Sequence, residues 1–177
     1  MTRNTFRVFT AAAALSVCAL TASANSSHST ASAHDAAQAL RELRSDKRTL
    51  STKLDELHGL ARNNHLTSWQ NHAIVFDEVR DVINRAARRL DRLEGKLEVL
   101  PAAKRAAAEA IRADLASIAP EVQALMEEMR NSQLITLRPD YTARVRALAN
   151  RAFEASKSAD RLVRVALNAP AAQQMGD

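Results

Sequence analysis

Residues 139–168 read PDYTARVRALANRAFEASKSADRLVRVALN, and their apolar positions recur at alternating steps of three and four. The series keeps this spacing over eight positions: Tyr141, Val145, Leu148, Ala152, Ala155, Ala159, Leu162 and Ala166. Because an α-helix has about 3.6 residues per turn, such a series forms one apolar stripe along a helix. The stretch therefore predicts a long amphipathic helix that buries one narrow face.

The same spacing occurs in three earlier blocks, which are separated by prolines or an Asn-rich turn. These blocks cover about residues 34–62, 68–98 and 101–130. The short connections between them favour antiparallel neighbours. Residues 34–168 are therefore predicted to be all-α: an antiparallel up-down-up-down four-helix bundle with long, coiled-coil-like helices.

The series departs from a plain apolar stripe at Lys47, His72 and Pro120. Lys47 occupies a stripe position of the first helix. A lysine there can fix the register of the bundle at a cost in stability, but its long stem is expected to carry the ammonium to the edge of the bundle. Pro120 lies inside the third helix, facing away from the stripe, so it should bend that helix rather than end it. Thr67 and Gln70 match a capping box, in which each side chain binds the backbone N–H of the other at the start of the second helix.

The first 24 residues have the features of a secretory signal peptide. Arg3 and Arg7 precede an apolar run, and Ala22-Ser23-Ala24 supplies the small residues that a signal peptidase requires. Cleavage is expected after Ala24, with Ala33 as a later alternative. The apolar run is shorter than the roughly 20 residues that span a bilayer, so no transmembrane segment is expected. Residues 25–33 are predicted to be a disordered linker, and residues 169–177 a disordered tail.

Cysteine content and charge restrict the classes of function. Cys18 is the single cysteine and lies within the leader, so disulfides are not expected, and the bulky Val17 before it disfavours a lipoprotein. The expected location is the periplasm or the medium. Removing the leader takes away two of the 25 basic residues and none of the 20 acidic ones, leaving a net charge of +3. This interspersed charge does not predict a nucleic-acid partner.

Catalytic motifs are missing from the sequence. It contains only three glycines and no Gly-rich phosphate loop, and Asp55-x-x-His58 is the nearest approach to the Glu-x-x-His pairs of a di-metal bundle site. We therefore expect a protein that is not an enzyme and that has no cofactor.

Histidines, methionines and aromatic residues concentrate near one predicted bundle end. His58, His65 and His72 are spaced by seven around the first turn, and imidazoles so placed can bind a metal ion. A bundle-end pocket is predicted from Trp69, Phe76, Met126, Met129 and Tyr141. A histidine and two methionines at one bundle end resemble the set of haem ligands in b-type four-helix cytochromes. The resemblance implies haem as an alternative to a bound metal ion. The competing interpretation is that the histidines are solvated or bonded to neighbours and the bulky residues fill the bundle end.

The last helix carries the excess positive charge of the chain. A basic surface is predicted from Arg144, Arg151, Arg161 and Arg164, able to contact anionic lipid headgroups, cell-wall polymers or an acidic partner. The alternative is that acidic residues of neighbouring helices balance these charges. Because the apolar stripe is narrow and rich in alanine, a homodimer also remains open.

Two short motifs resemble known groups. Ser68-Trp69-Gln70-Asn71-His72 resembles the helix opening of a group of secreted bacterial helical-bundle proteins, which supports the fold and the compartment. Leu66-Thr67-Ser68-Trp69-Gln70 resembles the Leu-Thr-x-x-Gln motif of periplasmic chaperones of the spheroplast-protein-Y type, which implies an ATP-independent holdase.

The leading functional prediction is a non-enzymatic exported bundle that acts by surface binding or assembly in the bacterial envelope. A metal or haem carrier and an ATP-independent periplasmic chaperone are the alternatives.

Overall fold

The computed structural model describes residues 25–97 and 100–168 and forms four long helices. They are α1 (Asn25–Arg62), α2 (Trp69–Glu94), α3 (Ala102–Asn131) and α4 (Pro139–Asn168), with a short 3₁₀ helix, Gln133–Leu137, before α4. Both α1 and α3 pack against α2 and α4, so the helices form a ring in chain order. The predicted four-helix bundle is confirmed. The predicted signal peptide and tail lie outside the described residues.

The predicted stripes form the core of the bundle. All seven stripe positions of α1 are buried, namely Leu40, Leu43, Lys47, Leu50, Leu54, Leu57 and Ala61. The stripe of α3 is buried throughout, and that of α4 is buried except at Leu162, which is half-buried beside a buried Val163. Each fully buried leucine contributes about 1.5–3 kcal/mol, so these positions supply most of the driving force for folding.

Two helix boundaries differ from the prediction. α1 begins at Asn25, so residues 25–33 are helical rather than a disordered linker. Neither proline nor glycine interrupts this segment, and extending an existing helix requires no new nucleation. α2 ends at Glu94 rather than near residue 98, because Gly95, a poor helix former, follows it.

α3 continues through Pro120, as predicted. The helix continues from Ala102 to Asn131, and Pro120 is exposed on its outer side. Three residues earlier, the Ser117 carbonyl accepts a hydrogen bond from Arg151 Nη1 of α4 at 2.9 Å. A proline ring disturbs the helical hydrogen bonds of the preceding turn, so this bond gives the perturbed turn an additional donor.

The predicted position of Lys47 was wrong. Its side chain is fully buried, and its Nζ lies 3.2 Å from Asp114 Oδ2 of α3 instead of reaching solvent. This ammonium forms no hydrogen bond of good geometry with any described residue. Burial lowers the pKa of Lys47, and the Asp114 carboxylate partly opposes that shift. The sequence pattern of α1 alone could not reveal the carboxylate that keeps the lysine inside.

Charged residues on either side of Lys47 connect α1 to α2 and α4. The nearly buried Asp46 pairs with Arg85, at 2.9 Å, and with Arg89 of α2. Arg48 pairs with Asp160 of α4 at 2.6 Å. One short segment of α1 therefore forms ion pairs with α2, α3 and α4, which favours a single register of the four helices.

Candidate functional site

The two connections at one end of the bundle are joined to each other. Residues 63–68 connect α1 to α2, residues 132–138 connect α3 to α4, and we call this the loop end. Asn64 Nδ2 donates a hydrogen bond to the Thr136 carbonyl at 3.1 Å. Thr142 Oγ1 donates to the Ala61 carbonyl, also at 3.1 Å. These bonds fix the second connection on the first and the start of α4 on the last turn of α1, so the loop end has a defined position on the bundle.

A buried hydrogen-bonded chain lies beneath the loop end. His72 and Tyr141 are both fully buried, and His72 Nδ1 lies 2.8 Å from the Tyr141 hydroxyl. Their rings meet edge to face at 5.5 Å. On the other side of the imidazole, His72 Nε2 lies 3.2 Å from Thr67 Oγ1. The chain thus joins the α1–α2 connection to the first turns of α2 and α4.

The hydrogen-bond partners determine the tautomer of His72. Thr67 Oγ1 lies 3.3 Å from both the Leu60 and the Asn63 carbonyls, so its hydrogen can go to the backbone. With Nε2 protonated, His72 donates to Thr67 and accepts from Tyr141, and every polar hydrogen has an acceptor. The other tautomer leaves the Tyr141 hydrogen without one, which is costly in a buried site. Burial lowers the pKa of His72 and raises that of Tyr141, so both side chains are neutral near pH 7.

The same geometry corrects the predicted capping box. Ser68, not Thr67, is the N-cap residue of α2, and it makes no side-chain capping bond. Thr67 faces back toward the end of α1 and toward His72, and Gln70 is exposed. A buried imidazole thus replaces the backbone N–H as the partner of the threonine.

The three predicted metal ligands do not assemble. His72 uses both ring nitrogens in the buried chain, His58 is half-buried and His65 is exposed. Across residues 25–97 and 100–168, no three His, Cys, Asp or Glu side chains are grouped so that they could hold a metal ion. Metal binding at His72 would require the loss of the Thr67 or the Tyr141 hydrogen bond.

The predicted bundle-end pocket is divided in the structure. Trp69, Met126 and Met129 line a cleft of about 120 Å³, whereas Phe76 and Tyr141 are buried in the core. Small-molecule sites usually enclose about 300 Å³ or more. The cleft is therefore too small for haem, and no free imidazole faces it.

The predicted basic surface is partly neutralised. Arg144 binds Glu121 at 2.7 Å and Glu128 at 2.8 Å, both on α3, and Arg151 donates to the Ser117 carbonyl described above. These two arginines attach α4 to α3. Arg161 and Arg164 are exposed near the far end of α4. The four residues thus do not form one continuous cationic patch.

Three exposed leucines at the loop end were not predicted from the sequence. Leu66 is 78% exposed in the first connection, and Leu134 and Leu137 are 70% and 55% exposed in the second. We call these three residues the end face. The available signal was that all three leucines fall within the two connections, outside every helical stripe.

The described part of the chain defines an all-α four-helix bundle with an apolar end face over a buried polar chain. None of its described helices combines the length and apolar character needed to cross a membrane. Comparisons with family models, curated proteins and solved structures found no match. The two motif resemblances therefore remain predictions.

Proposed function

We propose that this protein is a non-enzymatic, exported helical bundle that acts by binding through its end face in the bacterial envelope. One observation carries the proposal: leucines that are more than half exposed lie on two connections that a hydrogen bond joins. Single exposed leucines are common, but apolar residues grouped on a fixed surface are typical of interaction sites.

The rigidity of the loop end supports this function. Thr67 and Asn64 are bonded to groups outside their own connection, and Ile135 and Thr136 are buried between the exposed leucines. A surface that is already ordered loses little conformational entropy when it binds a partner. The buried His72 chain therefore has a positioning role beneath the end face.

Envelope fractionation tests the proposal. The full chain would be exported in a Gram-negative host, and its distribution between envelope pellet and supernatant compared with that of two variants. Leu134→Ser/Leu137→Ser should shift the protein to the supernatant. Phe153→Ser/Val165→Ser is the matched control, because those side chains are 54% and 58% exposed on α4. Equal distribution of all three proteins, or a shift of the control alone, would contradict the proposal.

An ATP-independent chaperone is a second candidate, and the exposure of Leu66 favours it specifically. Leu66 begins the Leu-Thr-x-x-Gln segment, and its side chain is available to an unfolded client. A light-scattering assay with a denatured client and no ATP would test this function. Suppression that Leu66→Ser abolishes is the expected result, and no suppression at several-fold excess would reject the chaperone role.

A further inference from the structure

We propose that the end face docks on the surface of an anionic phospholipid bilayer, with its leucines inserted among the headgroups. This inference rests on the proposed function, since it names the partner of the same surface. The shape of the surface, its charge and the position of the tryptophan each support it.

The leucines project from the loop end instead of lining a groove. Leu134 and Leu137 are three residues apart in a 3₁₀ helix, which has about three residues per turn, so they lie on the same side. Ile135 between them is buried and anchors the turn to the bundle. Leu66 is exposed on the adjacent connection. Projecting apolar side chains suit a fluid bilayer surface, whereas a peptide partner would need a groove larger than the 120 Å³ cleft below.

Arginines flank both leucine-bearing connections in the sequence. Residues 62–71 and 129–140 contain three arginines and one acidic residue, Asp140, and of the acidic residues just outside these ranges Asp77 is paired with Arg80 and Glu128 with Arg144. Asp140 forms a bidentate ion pair with Arg138, whose Nε and Nη2 donate to the two carboxylate oxygens at 2.9 and 2.8 Å. Arg62 and Arg130 are exposed, and no carboxylate in the described residues pairs with either. Guanidinium groups bind phosphate oxygens well, so the rim complements phosphate-bearing headgroups.

Trp69 lies at the base of the same surface. It is half-buried at the start of α2, and it lines the small cleft together with Arg130 and Asp77. Tryptophan prefers the boundary between headgroups and acyl chains because its ring is apolar and its N–H is polar. It is also the single tryptophan in the chain, so its fluorescence reports on this site alone.

Vesicle binding tests the proposal with the protein recovered after export. Binding to phosphatidylglycerol-rich and to pure phosphatidylcholine vesicles would be measured by co-sedimentation and by the Trp69 emission. We expect roughly tenfold tighter binding to the anionic vesicles, a blue shift of the emission, and weaker binding at high salt. Arg62→Gln/Arg130→Gln should remove the preference for anionic lipid.

Matched variants separate insertion from simple charge attraction. Leu134→Ser/Leu137→Ser should weaken binding to anionic vesicles by about tenfold or more, since it removes the inserted apolar area. Phe153→Ser/Val165→Ser should bind as the wild type does. The inference is overturned if the wild type does not bind anionic vesicles, or if both double variants bind equally. Envelope association that depends on the leucines, without vesicle binding, would keep the proposed function and assign the end face a protein partner.

Discussion

The buried pair of Lys47 and Asp114 predicts an asymmetric response to mutation. Replacing the buried ammonium of Lys47 with an apolar group should stabilise the folded protein. Lys47 loses all its solvation on folding and gains only one ion pair. Replacing buried ion pairs with apolar residues is neutral or stabilising by about 1–4 kcal/mol. We therefore expect Lys47→Met to raise the free energy of unfolding by about 1–2 kcal/mol.

Removing only the partner should have the opposite effect. Asp114→Ala leaves the ammonium buried without a counter-charge, which usually costs about 3–5 kcal/mol. Since a third of the Asp114 side chain is in contact with solvent, we expect a smaller loss of about 2–3 kcal/mol. The double variant should recover most of this loss, because the two residues act as one unit.

The pH dependence of the Lys47→Met effect gives an independent check. Burial lowers the pKa of Lys47 below its ordinary value of 10.5 in the folded state. Between the folded-state pKa and 10.5, the unfolded chain therefore binds more protons, and the stability of the wild type rises with pH relative to Lys47→Met. The advantage of the methionine variant should shrink toward pH 10.5, while groups common to both proteins cancel in the difference.

Urea unfolding monitored by circular dichroism measures all of these quantities. Equal m-values across the variants would show that all of them expose the same amount of surface on unfolding, so their free energies of unfolding can be compared directly. A Lys47→Met variant that gains no stability, together with a neutral Asp114→Ala, would refute the reasoning, because both results would place the ammonium in water.

Three further predictions concern the loop end and α1. Tyr141→Phe leaves His72 Nδ1 buried without a donor and should cost about 1–3 kcal/mol in urea unfolding, and a loss below 0.5 kcal/mol would argue against the bond. Because burial lowers the pKa of His72 from 6.5, its contribution to stability is present above pH 6.5 and is lost as pH falls through the folded-state pKa. The wild type should therefore lose more stability in this range than His72→Gln, and parallel pH profiles would contradict that. Gly59→Ala in the last turn of α1 adds a Cβ that meets no atom within 4 Å and should raise the free energy of unfolding by about 0.5 kcal/mol, whereas destabilisation would contradict the open space at this position.

The fold could be predicted because it depends on a local property. The spacing of Leu40, Leu43 and Leu50 indicates which side of α1 is buried. The short connections between helices then leave few ways to arrange the four helices. Lys47 could not be placed in this way. Its position depends on Asp114, 67 residues later in the chain, and only the packed bundle brings the two together.

The sequence predicted which bulky residues lie near one end of the bundle, but not how they interact. Trp69, His72 and Tyr141 lie in the first turns of α2 and α4, at the loop end. The metal and haem chemistry predicted for this end is not supported, because Thr67 and Tyr141 engage both ring nitrogens of His72. Leu66 and Leu137 belong to no periodic pattern, so their exposure became visible only when both connections were positioned on the bundle.

Site-specific photo-crosslinking in exporting cells tests the central claim most directly. A photoreactive phenylalanine would be placed at Leu134, on the end face, and in a second variant at Val165, an equally apolar exposed site toward the opposite end of α4. Crosslinks to an envelope lipid or protein from position 134 and none from position 165 are the predicted result. Crosslinks of equal yield from both positions, or from position 165 alone, would contradict binding through the end face.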